Sequence, residues 1–215
     1  MIDVIVLHAA LGGQGDPGLE HALMTRLPYA RRLELERRDP AARSASLQGL
    51  GLLAEGIVRL RAAAFDPSRL RFPQGGKPSV EGGPHFSISH SAGRVAVALS
   101  DRCELGLDIE DVGALGRSRP ELERWTAVEA SLKAFGAGLR RSTEVRLSPD
   151  RSSAEIAGAL VRLRPVTLGA DCIATLATHE PVGRVEVVRG QGTGDSKRAG
   201  GKLAEGVGTP MQPRR

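Results

Sequence analysis

Leu105-Gly106-Leu107-Asp108-Ile109-Glu110 alternates apolar residues with Gly, Asp and Glu, the pattern of a strand with one apolar and one polar face. A period of two points Asp108 and Glu110 to the same side, where they can converge on one cation. Asp111 points the other way, as a surface residue or turn cap. A helix is predicted next, from about Pro120 to Phe135, with Pro120 in its first turn and Gly136 and Gly138 at its end. Within it, Trp125-Thr126-Ala127-Val128-Glu129-Ala130-Ser131-Leu132-Lys133-Ala134 sets Glu129 and Lys133 four residues apart among small and apolar neighbours. Taken alone, that pair reads as an exposed helix salt bridge worth a few tenths of a kcal/mol.

Outward from this unit, residues 2–8 read as a strand, and Gly12-Gly13-Gln14-Gly15 as a loop without the Lys-Ser/Thr ending of a phosphate-binding P-loop. Amphipathic helices are predicted over about 27–38 and 41–64, broken at Asp39-Pro40. Their Arg31, Arg32, Arg37, Arg38 and Arg43 read as a solvated face. Short strands are predicted at 70–72, 86–89 and 94–99 before the acidic strand, and at 143–147, 156–163, 172–178 and 185–188 after the helix. The order of strand, helices, strands, helix, strands predicts an α+β fold.

With 215 residues and 40% hydrophobic content, the chain can form one globular domain or two small lobes sharing a core. Cys103 and Cys172 have neither CxxC spacing nor a histidine pair beside them, so they read as core residues. The N-terminus lacks the features of a leader, and no run approaches about 18 apolar residues, so a cytoplasmic soluble protein is expected, with no membrane partner. A formal charge of +5 and a pI of about 9.8 suit an anionic partner: nucleic acid, a phosphorylated cofactor or an acidic protein. One Trp, one Tyr and four Phe give too few stacking platforms for a single-strand binder, which makes nucleic acid the weaker option. From Gly190 onward the chain is poor in large apolar residues and reads as a disordered basic tail.

Three oxygen-bearing acids, Asp108, Glu110 and Glu129, suit magnesium, which shares its shell with substrate phosphates, and Lys133 beside them would neutralise phosphate charge. Two further segments offer phosphate contacts. Gly75-Gly76-Lys77-Pro78 forms a rigid turn, and Phe86-Ser87-Ile88-Ser89-His90-Ser91 ends a strand with hydroxyls and an imidazole.

Taken in order, Gly76-Lys77-Pro78, Phe86 to Ser91, Gly106 to Glu110 and Trp125 to Lys133 resemble the motifs of the 4'-phosphopantetheinyl transferase superfamily. The resemblance covers about Lys77 to Lys133, with weaker similarity back to the helix of Arg43. It implies two similar α+β lobes with a pseudo-twofold relation, at 1–103 on the coenzyme A side and 104–189 on the metal side, with 190–215 as the tail. It also implies a monomer that uses Mg2+, or Mn2+ as an alternative, to transfer the phosphopantetheine arm of coenzyme A to a serine of an apo acyl or peptidyl carrier protein. Such carriers have an acidic surface, and adenosine 3',5'-bisphosphate is released.

Carried over position by position, the resemblance makes Asp108, Glu110 and Glu129 the metal residues, with Glu129 also the base for the serine hydroxyl. Lys133 would contact the pyrophosphate and Ser89 the diphosphate side. His90 and Arg43 would serve the 3'-phosphate, with Arg31 or Arg38 as alternatives to Arg43, and Lys77 and Pro78 would shape the adenine end. Two departures stand out. Val128 occupies the position of a family lysine, which implies a lost phosphate-facing cation and weaker coenzyme A affinity. The connection from Asp111 to Arg124 is short, which implies a compact member. Two alternatives remain: a non-catalytic coenzyme A or carrier-binding homologue, and a basic nucleic-acid-binding protein.

Overall fold

A computed structural model describes residues 3–11, 17–73, 76–113 and 116–190. The first sheet contains β1 (Val4–Ala10), β4 (His85–Ser91), β5 (Arg94–Ser100) and β11 (Val185–Arg189), in the order β11-β1-β5-β4. β1 is antiparallel to β5 and β5 to β4, while β11 lies parallel to β1. Strand alternation sends Ile5, Leu7, Val95, Val97 and Leu99 to one face, where they pack against α1 (Pro17–Arg26), α2 (Tyr29–Glu36) and α3 (Pro40–Arg61). The break read at Asp39-Pro40 is the start of α3: the Asp39 carboxylate accepts from the Ala42 N–H at 3.0 Å, and Pro40 occupies the first turn. A minor pair, β2 (Leu70–Arg71) and β3 (Ser79–Val80), lies beside this layer.

The opposite face of the first sheet, Val4, Val6, Ala96 and Ala98, packs on Leu105, Leu107, Ile109, Ala174 and Leu176 of the second sheet. That sheet is antiparallel, in the order β6 (Leu105–Asp111), β10 (Cys172–Thr178), β9 (Ala159–Pro165), β8 (Ser153–Ile156) and β7 (Arg146–Leu147). Its far face is covered by α4 (Arg119–Ala134), whose Ala127, Ala130 and Ala134 meet Ala154, Val161, Leu163 and Ala177. The layers run helices, sheet, sheet, helix. The fold is α+β, as the order of predicted elements indicates.

Three segments differ from the sequence reading. Residues 156–163 form a hairpin rather than one strand. The chain reverses at Ala157 and Gly158, with φ of 51° and 82°, a left-handed pair that suits a two-residue turn but is poorly signalled by alanine. Residues 143–147 are split between a 3-10 turn at Leu139–Glu144 and the two-residue β7. The last strand, grouped by sequence with 104–189, belongs to the first sheet. Val185 joins the core between the sheets and Val188 the helix-side core, which covers the outer edge of β1.

Both cysteines are buried and free, as expected of core residues. Among the described residues, no helix is long and apolar enough to cross a membrane. The Gly12–Gly15 loop, Gly75 and the tail beyond Gly190 lie outside the described residues.

Candidate functional site

The site depends on how closely α4 approaches β6. Glu121 closes the helix N-terminus by accepting from the Ser118 N–H at 2.8 Å and from its hydroxyl at 2.6 Å, and Gly136, with φ of 62°, lets the chain leave at the other end. Between these ends the helix lies directly over Gly106, on the face of β6 that also carries Asp108 and Glu110. Trp125, Glu129 and Lys133, spaced at one and two turns, form the stripe that meets those acids.

Lys133 does not pair with Glu129, as its spacing suggested, but crosses to β6. Its Nζ lies 2.6 Å from Asp108 Oδ1 and 2.9 Å from Ser89 Oγ. The Asp108 side chain is only 4% exposed, against 28% for Lys133, and Asp108 Oδ2 is buried with no hydrogen-bond partner. Glu110 accepts from the Trp125 indole and from Ser91, yet burial and the Asp108 charge hold its carboxyl above the usual range. Asp111 points away, as read, and its Oδ2 accepts from the Gly93 N–H at 2.8 Å in the β4–β5 turn.

Glu129 is shifted furthest. Burial, reinforced by the Asp108 charge and opposed by Lys133, pushes its carboxyl up to about 7. Between its ordinary value of 4.5 and about 7, the folded chain retains a proton that the unfolded chain has lost. The unfolded state therefore binds fewer protons in this window, and stability falls as pH rises through it, levelling above about 7. Without divalent cations, the melting temperature is expected to decline across that window, and Glu129→Gln should flatten the decline. An unchanged slope in the variant would contradict this assignment.

The chemistry of the cluster fits a divalent cation: three carboxylates crowd one face, two are held above their ordinary range, and a buried Asp108 oxygen lacks a donor. They do not form a closed set of ligands, because among the described residues no three His, Cys, Asp or Glu side chains converge closely enough to hold a metal. The cation that Asp108 meets is the Lys133 ammonium.

On its other side, Lys133 borders a cavity of about 360 Å³, within the range of small-molecule sites, between α2, α3, β4 and the end of α4. Arg31, Arg38, Lys77, His90 and Lys133 line it, with Pro78 and Phe72 among its apolar walls. The Arg31 guanidinium lies 4.8 Å from the Phe72 ring centroid and pairs with Glu34 at 2.6 Å, leaving a buried Nε without a partner. Arg38 is held by Ser46 at 3.0 Å and Glu34 at 2.6 Å. Lys77 donates to Glu104 and to the Leu105 carbonyl, each at 2.7 Å, and burial lowers its pKa. His90 Nε2 donates to the Ala45 carbonyl at 3.0 Å, and desolvation together with Lys133, Arg38 and Arg31 keeps the ring neutral to a lower pH than usual.

The structure thus brings Lys77, Pro78, His90 and Lys133 to one cavity and Asp108, Glu110 and Glu129 to the adjoining face of β6 and α4. Arg43 is not among the cavity residues; one turn or more away, Arg31 and Arg38 take that place. Ser89 is buried and bonds to Asp108 and Lys133, so its hydroxyl is committed to protein groups rather than turned to a diphosphate.

Val128 also departs from its expected role. It is 5% exposed and packs with Leu132 and Ile156, because one residue of helix rotates the side chain about 100° away from the Glu129 face. A lysine there would enter an apolar cluster, not a phosphate site. Val128→Lys is expected to cost about 2 kcal/mol or more in urea unfolding without tightening coenzyme A binding. Tighter binding at unchanged stability would contradict this placement.

No family model matches the chain. Two relatives do: the uncharacterized protein YieE of Escherichia coli strain K12 and its counterpart in strain O6:H1 (CFT073). Each is 37% identical over 92 residues, covering 42% of this chain and 36% of the relative. The matched region therefore spans about a third of the relatives' length, and neither name states an activity.

Proposed function

We propose that this chain transfers the 4'-phosphopantetheine arm of coenzyme A to a serine of an apo acyl or peptidyl carrier protein. The observation that carries the reading is Lys133, which lines the cationic cavity and is bonded to Asp108 in the acidic cluster, so that an anion in the cavity would reach the carboxylates through one side chain. The ordered motifs from Lys77 to Lys133 support it. So does the likeness of the two sheets, each of which pairs its first strand with the last strand of an antiparallel run, β1 with the hairpin β4–β5 and β6 with the meander β7 to β10. That likeness underlies the proposed pseudo-twofold pair of lobes.

In this mechanism Arg31 and Arg38 bind the 3'-phosphate, whose negative charge would protonate His90 at Nδ1 and let it donate as well while Nε2 stays on the Ala45 carbonyl, Lys77 and Pro78 border the nucleoside, and Lys133 contacts the pyrophosphate. Asp108, Glu110 and Glu129 would take up magnesium only together with the pyrophosphate, and the ion would supply neutralisation of its charge. The Glu129 carboxylate takes the proton of the carrier serine through a water, because magnesium beside it would lower its own proton affinity below that of the metal-free chain. The serine oxygen forms its bond to the phosphorus bearing pantetheine, and the bond from that phosphorus to the bridging oxygen breaks. Adenosine 3',5'-bisphosphate leaves with that oxygen. Exposed Arg117, Arg119 and Arg124 lie at or near the start of α4, where an acidic carrier surface would be attracted.

Release of adenosine 3',5'-bisphosphate should require coenzyme A, magnesium and an apo carrier together; release without the carrier would point to hydrolysis instead. His90→Ala and Arg38→Ala should each raise the KM for coenzyme A about tenfold, with kcat changed little, because each removes a charge-assisted contact. Neither should affect 3'-dephospho-coenzyme A, and an equal loss with both substrates would remove these residues from the 3'-phosphate. Val128 is buried in an apolar cluster, so its identity does not by itself favour a non-catalytic homologue.

A further inference from the structure

The two sheets meet along the edges β4 and β6, which have no backbone pairing with each other. Three serines on alternate positions of β4 take its place. Ser87 Oγ accepts from the Leu107 N–H at 3.0 Å, Ser89 Oγ from the Ile109 N–H at 3.3 Å, and Ser91 Oγ from the Asp111 N–H at 2.8 Å. These hydroxyls satisfy N–H groups that the β6 edge would otherwise leave unpaired.

An oxygen that accepts from a backbone N–H has its own proton to place, and the three serines place it differently. Ser87 directs it weakly to the Leu107 carbonyl at 3.5 Å. Ser89, which also receives Lys133 Nζ at 2.9 Å, donates to Asp108 Oδ1 at 2.8 Å, and Ser91 donates to Glu110 Oε2 at 3.2 Å. One oxygen of each β6 acid is thus fixed from the neighbouring strand, and the other oxygen of Asp108 has no partner.

The geometry points to Ser89 and Ser91 as positioning residues that reach across the sheet junction and set the orientation in which Asp108 and Glu110 receive a divalent cation. Ser87 serves the junction alone. The inference rests on the proposed metal role of the two acids but assigns these serines a task apart from contact with substrate. It also explains why the strand carrying His90, at the cavity, and the strand carrying the acids keep a fixed register: one row of hydroxyls joins them.

The experiment is titration of the full chain with Mn2+, following the free ion by electron paramagnetic resonance, with thermal unfolding of each variant recorded alongside. Ser89→Ala and Ser91→Ala are expected to raise the Mn2+ dissociation constant about tenfold, as loss of an outer-shell hydrogen bond does, while Ser87→Ala changes it less than about twofold and Ser91→Thr restores it. Ser91 is only half-buried, so Ser91→Ala and Ser91→Thr decide the matter if Ser89→Ala does not fold. Equal affinities for Ser87→Ala, Ser89→Ala and Ser91→Ala would overturn the positioning role and leave the metal site standing. Failure of the unaltered chain to bind Mn2+ would overturn the metal role of Asp108 and Glu110, and this inference with it.

Discussion

Gly106→Ala is expected to destabilise the chain by about 3 kcal/mol or more, at the upper end of what overpacking a core does. A Cβ at this position would lie 2.0 Å from the Ala130 carbonyl oxygen, 2.5 Å from the Ala134 nitrogen and 3.0 Å from the Lys133 carbonyl carbon. All three are backbone atoms in the body of α4, so no side-chain rotation relieves the overlap and the helix itself must move. Its displacement would draw Lys133 away from Asp108, now 2.6 Å distant, and Glu129 away from both β6 acids. Stability and transfer should therefore fall together. Urea unfolding measures the first, with Gly138→Ala, where a Cβ meets nothing within 4 Å, as a control expected to behave like the unaltered chain. A Gly106→Ala midpoint equal to that control would show that α4 does not lie against β6 as described.

Asp108→Asn should lower the transfer rate by about 10² to 10³-fold while the fold persists, a loss of the size seen when a preorganised electrostatic group is removed from an active site. Asparagine keeps the shape but leaves Lys133 without the charge that holds it, and it presents one carboxylate fewer to magnesium. A second effect follows from the same lost charge. Asp108 is, after burial, the largest influence holding the Glu129 carboxyl up near 7, so Glu129 in the variant should ionise at lower pH. In the metal-free chain, the decline of melting temperature that follows Glu129 ionisation should accordingly begin at lower pH in Asp108→Asn. A decline unmoved along the pH axis would show that the Asp108 charge does not bear on Glu129.

The local pattern of the acidic unit was legible because its periods are short. Alternation through Leu105 to Glu110 gave the facing of Asp108, Glu110 and Asp111, and Pro120 and Gly136 bracketed α4 to within a residue or two of Arg119–Ala134. What the pattern could not carry was how elements meet. Glu129 and Lys133 suit each other by spacing, but a buried carboxylate on β6 competes better for the ammonium than a neighbour on the same helix. The arginines of α2 and α3 look alike in sequence. Only the packing of those helices on the first sheet shows that Arg31 and Arg38 reach the cavity and Arg43 does not. Nor does anything local in Val185–Arg189 reveal a return to β1, some 180 positions away. Val128 could have been placed from sequence: Trp125, Glu129 and Lys133 share a helical stripe, and a residue one position from Glu129 falls outside it.

The most direct measurement is the intact mass of an apo carrier protein after incubation with this chain, coenzyme A and magnesium, alongside a carrier whose acceptor serine is replaced by alanine. The predicted result is a gain of one phosphopantetheine unit by the serine-bearing carrier, none by the alanine form, and none in either when magnesium is chelated. No gain by any of several acidic acyl and peptidyl carriers, under conditions where coenzyme A demonstrably binds the chain, would contradict the proposed transfer.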